Sequence, residues 1–328
     1  METDDTIRPE TNTKPLSIDE QMNICRMRHY DLFALIVLTV LGLIMVVYYG
    51  APIRIQPASL LLSGVFFTST VPSILFLRWL RLGRQIHVLK EILNICRDWF
   101  PFSVLLFLYE NLSLYTGYIQ PGAYDAFLAE IEIIIWSVQP TIWIESYINQ
   151  IMVDFMSLAY ALHFPLPSAL AIALYVYTKR SYFREFATAI IICNMVGFIL
   201  YLVIPAGPPR FYLEQLYSVT QLPSYTGLYT WSELLWDDNN PVLAQSSFPS
   251  LHVAFSTVAM IFAYRRDHWP RVWWVLGPLV TSMALCLWIS TIYLRHHWTM
   301  DIFSGLILGL LSVITARYLT KRTGGGPL

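Results

Sequence analysis

Long apolar runs alternate with short polar stretches along most of this chain. By window hydropathy the runs fall at about 31–49, 59–79, 99–118, 147–177, 185–204, 250–264, 272–293 and 301–318. They are apolar on all sides rather than along one stripe, and about 18 to 22 such residues cross a bilayer core. The pattern therefore predicts an all-α, polytopic membrane helical bundle of about eight transmembrane helices. The fourth run carries His163, Pro165 and Pro167. It is either one kinked helix or a helix followed by a short re-entrant break. The sixth run is short, as expected of a helix whose start is sunk in a cavity rather than in lipid.

Composition agrees with that pattern. Of 328 residues, 56% are hydrophobic and 13% charged, a share of charge about half that of a soluble domain. The net charge of −1 gives no general affinity for nucleic acid. Cys25, Cys96, Cys193 and Cys286 are scattered, without metal-ligand or disulfide spacing, and read as small buried hydrophobes. Residues 1–30 are polar, rich in acidic residues and lack an apolar core. They read as a disordered cytoplasmic tail rather than a secretory signal.

Basic residues set the expected orientation. With the N-terminus in the cytoplasm, only Arg54, Arg210 and Arg295 of the 21 lysines and arginines fall outside. That asymmetry favours an even number of spans with both termini inside. Arg210 and Arg295 then stand out, because a face poor in basic charge does not use them to set topology.

Three polar segments share that outer side. IPAGPPRFY (204–212) ends the fifth span, SSFPSLHVAFS (246–256) starts the sixth, and YLRHHWTMDIFSG (293–305) starts the last. In the third, His297 and Asp301 are four residues apart and share a helix face. A carboxylate on one imidazole nitrogen leaves the other as a lone-pair nucleophile; an interfacial histidine bonded to a structural aspartate is the alternative. His296 points about 100° away and cannot use the same partner. In the second segment, Pro249 precedes a helix start that Ser250 can cap. Free N–H groups there favour an anion, and His252 in the first turn can protonate a leaving oxygen. An ordinary capped helix is the alternative. In the first, Arg210 either clamps phosphate oxygens with its planar fork or snorkels to lipid headgroups. Taken together, a nucleophile, an acid and two cations on one side of one membrane domain specify phosphoryl transfer.

At these residues the chain resembles the type 2 phosphatidic acid phosphatase superfamily of membrane phosphatases and phosphotransferases. Pro249-Ser250-Leu251-His252 is similar to that family's P-S-G-H block, and His297-x3-Asp301 to the end of its S-R-x5-H-x3-D block. Leu251 replaces the family glycine, Thr291 stands where the family arginine is expected, and Ala-Gly-Pro-Pro-Arg replaces the lysine-bearing first block. These departures resemble the inositol phosphorylceramide synthase branch, with its P-S-L-H and Y-x-x-H-H-x-x-x-D, matched here by Tyr293 to Asp301. The stretch 124–140, read as an outer loop, also resembles that branch.

The resemblance implies a six-helix catalytic core within a phosphatase/phosphotransferase-like domain at 99–319. Two accessory transmembrane helices and a cytoplasmic loop at 31–98 precede it, and a cytoplasmic tail at 320–328 follows. It implies His297 as nucleophile through a phosphohistidine, Asp301 as its orienting group and His252 as acid. Arg210, Arg295 and Ser250 are the expected phosphate-binding residues. No metal and no cofactor is implied. The expected partners are the bilayer, a phospholipid donor, and a lipid hydroxyl acceptor for a synthase or water for a phosphatase. The expected site is lumenal or extracellular.

Other functional classes fit less well. A transporter needs ionisable residues near mid-span on several helices, whereas here they gather at one rim. A catalytically silent lipid-binding relative would be marked by loss of His252, His297 or Asp301, and all are present. Asp237-Asp238-Asn239-Asn240 reads as a solvated turn ahead of Pro241 rather than a cation site. Glu110, Glu145 and Asp154 are either functional or paired with polar groups on other helices. His163 either lines a cavity or bonds a carbonyl freed by the kink. Asn111-Leu112-Ser113 matches a glycosylation sequon inside a span, where it is inaccessible.

Overall fold

Proline and small polar caps punctuate the helices. The structure, a computed structural model, describes residues 36, 39, 57–82, 88–112, 124–230 and 245–322. Nine helices of twelve residues or more lie in the described residues: α1 (Pro57–Leu82), α2 (Val88–Leu112), α3 (Asp125–Trp136), α4 (Gln150–Ala161), α5 (Pro165–Tyr177), α6 (Arg180–Val203), α7 (Leu251–Ala263), α8 (Trp273–Tyr293) and α9 (Thr299–Arg322). α1 and α5 open on proline, whose missing N–H costs nothing in a first turn. Asn149 caps α4 by accepting the Met152 N–H at 3.0 Å, and Ser250 caps α7 by accepting that of Val253. No strand is present among the described residues. The architecture is an all-α membrane helical bundle.

Four stretches are long and apolar enough to cross a membrane: α4 with α5, α6, α8, and α9 to Lys321. The fourth predicted run is α4 and α5 joined at a break around His163. The sixth is α7, only 13 residues long. The first predicted run, 31–49, lies outside the described residues except for Ile36 and Thr39. Two expectations change. Stretch 124–140 is no loop: α3 is followed, after a bend of 68°, by a short helical turn from Pro140 to Tyr147. A helix of twelve residues, three of them acidic, falls below the length of a span, so hydropathy alone passed over it. The third run begins well before position 99, since α2 runs unbroken from Val88 and places Pro101 inside the helix.

α6 is the central helix, buried along most of its length and packed against α2, α5, α7 and α9. α7 sits between α6, α8 and α9. Its contact with α9 is unusually close. A Cβ on Gly305 would stand 2.4 Å from the Ser250 carbonyl oxygen, and one on Gly309 would stand 2.8 Å from that of Ala254. Gly305-x3-Gly309 is thus a small-residue seam of the kind that lets membrane helices meet backbone to backbone. Against α6, the Leu251 side chain fills the space over Gly197.

α1 and α2 pack on each other and against α5 and α6. An ionic network fastens one end. Arg180 bridges Glu91 at 2.7 Å and Asp98 at 3.0 Å, and Arg78 meets Glu91 at 3.0 Å. Arg78 and Arg81 also donate to the carbonyls of Tyr175 and Val176 at the end of α5. Asp98 is buried, so its partners are needed to offset its desolvation.

Candidate active site

The three polar segments converge, and backbone hydrogen bonds join them. Ser247 donates its N–H to Ala206 O at 3.0 Å, Arg210 donates to Arg295 O at 3.3 Å, and Ser250 donates to Asp301 O at 3.0 Å. The Phe248–Pro249 bond between the first and third of these donors is cis. Trp298 adds a fourth tie, its indole N–H donating to Gly207 O at 2.9 Å.

Asp301 is fully buried in the first turn of α9. Its Oδ2 accepts from His297 Nδ1 at 3.0 Å, from Ser247 Oγ at 2.5 Å and from the Trp298 N–H at 2.9 Å. Because a carboxylate only accepts, His297 carries its hydrogen on Nδ1 and leaves Nε2 bare. That Nε2 faces His252 Nδ1 at 3.0 Å. Asp301, His297 and His252 therefore form one chain of hydrogen bonds, His252 coming from α7 and the other two from the α9 side.

The His252 end opens into a cavity of about 380 Å³. His252, His296, His297 and Arg210 line its polar part, and Phe66, Trp99 and Phe102 of α1 and α2 line its apolar part. Tyr160 stands amid three imidazoles, 4.5 Å from the ring of His296, 5.0 Å from His252 and 5.3 Å from His163. His163 lines the cavity as well, and its Nδ1–H donates to the Tyr160 carbonyl at 2.8 Å. Both readings of His163 hold at once. Burial, then the charge of Arg210, holds the His296 imidazole well below its usual range, with His297 and His163 adding to the effect. Arg210 is thus close enough to His296 to act on it electrostatically.

Two expected phosphate ligands are placed elsewhere. Arg295 has φ +64° and is not among the residues lining the cavity. The buried guanidinium pairs with Glu145 at 2.7 Å, donates to Val219 O at 2.8 Å and lies over the Tyr217 ring at 3.7 Å. It is a pin for the 217–219 loop. Ser250 is buried, and its hydroxyl is the helix cap rather than a cavity group. Glu145 and Asp154, weighed as functional suspects, are also loop anchors. Glu145 accepts from Ser218 and Val219, and Asp154 accepts from Ser224, Tyr225 and Thr226. Asp237 to Asn240 and Ser113 lie outside the described residues, as do the side chains of Glu110 and Asn111.

Sequence reading passed over several contributors. Ser247 lies in a segment already singled out, yet only the fold brings its hydroxyl to Asp301. Asp125 and Glu132 on α3 are buried carboxylates. Asp125 accepts the Gly207 N–H at 2.8 Å, and Glu132 accepts the Thr299 N–H at 2.6 Å. α3 therefore braces two of the three segments, and Glu132 satisfies a first-turn donor of α9 from outside that helix. Among the described residues, no group of three or more His, Cys, Asp or Glu side chains is placed to hold a metal ion.

A helical membrane bundle with a His–Asp pair, a second histidine and an arginine lining one largely apolar cavity defines a class of membrane site suited to phosphate esters. A family model of the PAP2 superfamily matches residues 136–315, and the chain belongs to that superfamily. It is 25% identical to a phosphoinositol dihydroceramide synthase of Bacteroides thetaiotaomicron over 174 residues, covering 50% of this chain and 55% of the relative. It is 28% identical to an inositol phosphorylceramide synthase of Candida albicans over 178 residues, 50% of this chain and 36% of the relative. A protein of Escherichia coli named as an undecaprenyl-diphosphatase is 33% identical over 81 residues, 25% of this chain and 38% of the relative. The chain thus spans about half the length of these relatives or less. No solved structure matches it.

Proposed function

We propose that the chain is a membrane phosphotransferase that moves a phosphoryl headgroup from a phospholipid donor to a lipid hydroxyl. The observation that carries this reading is the continuous Asp301–His297–His252 chain, with 3.0 Å at each histidine contact, opening on an apolar cavity.

In the first step, His297 Nε2 attacks phosphorus as the bond to the donor lipid's oxygen breaks. His252 passes a proton to that oxygen, releasing a neutral lipid alcohol and leaving a phosphohistidine. Asp301 stabilises the positive charge that develops on His297. Arg210 offsets charge on the non-bridging oxygens. In the second step, the acceptor hydroxyl gives its proton to His252, its oxygen bonds phosphorus and the P–N bond breaks. The basic-residue asymmetry supports a site on the non-cytoplasmic face, with both termini in the cytoplasm.

The names of the two synthase relatives support a lipid acceptor, as does a cavity whose apolar walls extend to α1 and α2. A second reading, transfer to water, is supported by the relative named as a diphosphatase. Both readings share the first step. Purified protein in nanodiscs, given headgroup-labelled phosphatidylinositol with ceramide or diacylglycerol, separates them. Label in a new lipid is expected, and none with His297→Ala. Soluble headgroup phosphate alone would make the chain a phosphatase. Equal behaviour of the wild type and His297→Ala would remove both readings.

A further inference from the structure

Two carboxylates meet at the start of α9. Asp301 of that helix and Glu132 of α3 are each 0% exposed. They take hydrogen bonds from consecutive backbone N–H groups. Trp298 donates to Asp301 Oδ2 at 2.9 Å, and Thr299 donates to Glu132 Oε1 at 2.6 Å. One turn further along α3, the Trp136 indole N–H donates to the Thr299 hydroxyl at 2.9 Å. Each acid is left with one oxygen unused. Asp301 Oδ1 and Glu132 Oε2 are buried without a hydrogen-bond partner, and among the described residues no other carboxylate oxygen is in that state. Two such acceptors at one helix start are costly unless one of them becomes a donor.

The charge balance says which one. Two ionised carboxylates at one buried place disfavour each other. The titratable groups that act on Glu132 are Asp301 and Tyr217, and neither is a cation. Arg210, on the short turn Pro209–Tyr212 that packs against α3, lines the cavity, and Arg295 pairs with Glu145. Asp301 collects three donors on one oxygen, from His297, Ser247 and Trp298, which favours its ionised form. Glu132 takes its donors from Thr299 alone.

We propose that Glu132 is a positioning residue for the transfer reaction: neutral beside an ionised Asp301, it donates from Oε2 to Asp301 Oδ1 while its Oε1 holds the Thr299 N–H. Asp301 is then fixed through both oxygens, and one negative charge stands behind His297. That single charge stabilises the imidazolium that develops on His297. A second would hold His297 protonated before reaction and take the lone pair from Nε2. Glu132 touches neither substrate nor reacting atoms and acts through Asp301. The role in catalysis rests on the phosphotransferase reading, whereas the proton on Glu132 does not.

The experiment compares the full chain in nanodiscs with Glu132→Gln and Glu132→Leu. A glutamine reproduces both bonds of a neutral glutamic acid, since its oxygen accepts from Thr299 and its NH2 donates to Asp301. A leucine makes neither. Infrared difference spectra at neutral pH, wild type minus Glu132→Gln, should show the carbonyl band of a neutral carboxylic acid. With labelled phosphatidylinositol as donor, Glu132→Leu should lower kcat about tenfold or more with little change in KM. Glu132→Gln should restore most of that loss, which a requirement for charge at this position would forbid. The infrared band and the glutamine variant test the idea even if Glu132→Leu fails to fold. Absence of the band, a folded Glu132→Gln whose kcat is as low as that of Glu132→Leu, or a wild-type kcat in Glu132→Leu would each overturn the inference while the phosphotransferase reading stands. A wild type that transfers label to neither lipid nor water would overturn that reading and the catalytic role of Glu132 with it.

Discussion

Ser247 donates its hydroxyl to Asp301 Oδ2 at 2.5 Å, on the same oxygen that holds His297. A serine 54 positions away thus helps to aim the carboxylate that aims the histidine. Ser247→Ala should leave Asp301 held by the Trp298 N–H and His297 while loosening its direction. The expected cost is about 1–2 kcal/mol in the transition state, or roughly tenfold in kcat, with little change in KM. Steady-state kinetics beside a thermal melt checks this; an unchanged kcat would make Ser247 a packing residue.

Gly305 and Gly64 make a matched pair for testing the α7–α9 seam. A methyl group on Gly305 collides with the Ser250 carbonyl, whereas nothing lies within 4 Å of one on Gly64. Gly305→Ala should lower the melting temperature and disrupt the site, because the helix starts bearing His252 and Asp301 must part. Overpacking of this kind costs about 1–3 kcal/mol. Gly64→Ala should be neutral or slightly stabilising, since alanine favours helix by about 1 kcal/mol over glycine. Equal melts for the two variants would contradict the close seam.

Arg210 and Arg295 should separate by type of defect. Arg210→Ala should raise KM for the phospholipid donor or lower kcat, with the fold retained. Arg295→Ala takes the ion-pair partner from the half-buried Glu145, which keeps its bonds from Ser218 and Val219, and should cost about 1–3 kcal/mol in folding stability. A double-mutant cycle of Arg295→Met with Glu145→Gln should recover part of that loss. Should Arg295→Ala melt like the wild type and lose only donor affinity, Arg295 would be a phosphate ligand after all.

His268, in the connection between α7 and α8, predicts an acid limb in stability. It is buried and stacked 3.9 Å from the Tyr182 ring. Burial, then the charge of Arg265, draws its imidazole down to about 4, with Asp267 opposing and Arg317 adding. A histidine lowered by folding is neutral in the fold, so the unfolded chain binds the proton first. Its contribution is complete above about 6.5 and is lost as pH falls from there to about 4. The full loss is on the order of 3 kcal/mol. His268→Phe should flatten melting temperature against pH across that window, and an unaltered slope would assign acid sensitivity to other groups.

What the sequence made legible was local or compositional. His297 and Asp301 pair because four residues of helix bring them together, and the spacing is visible on the page. The polar segments at 204–212, 246–256 and 293–305 stood out because charge beside an apolar run is costly. The rest depended on distance and direction. Glu132 meets a backbone N–H 167 positions away, and a backbone donor leaves no mark in a side-chain pattern. Arg295 lies two residues before His297, yet its guanidinium pairs with Glu145, 150 positions away, a partner that no local spacing reveals.

The ionic network around Arg180 bears on how small a working piece of this chain can be. The stretch shared with the superfamily, 136–315, begins after α1, α2 and α3. It contains His252, His297 and Asp301, yet omits Phe66, Trp99 and Phe102 from the cavity wall and Asp125 and Glu132 from its bracing. It also strips Arg180 of Glu91 and Asp98. Trimmed to that stretch, the chain would keep His252, His297 and Asp301 and lose part of the vessel beside them. The cavity is larger than the inherited stretch can enclose, and α1 and α2 supply part of its wall.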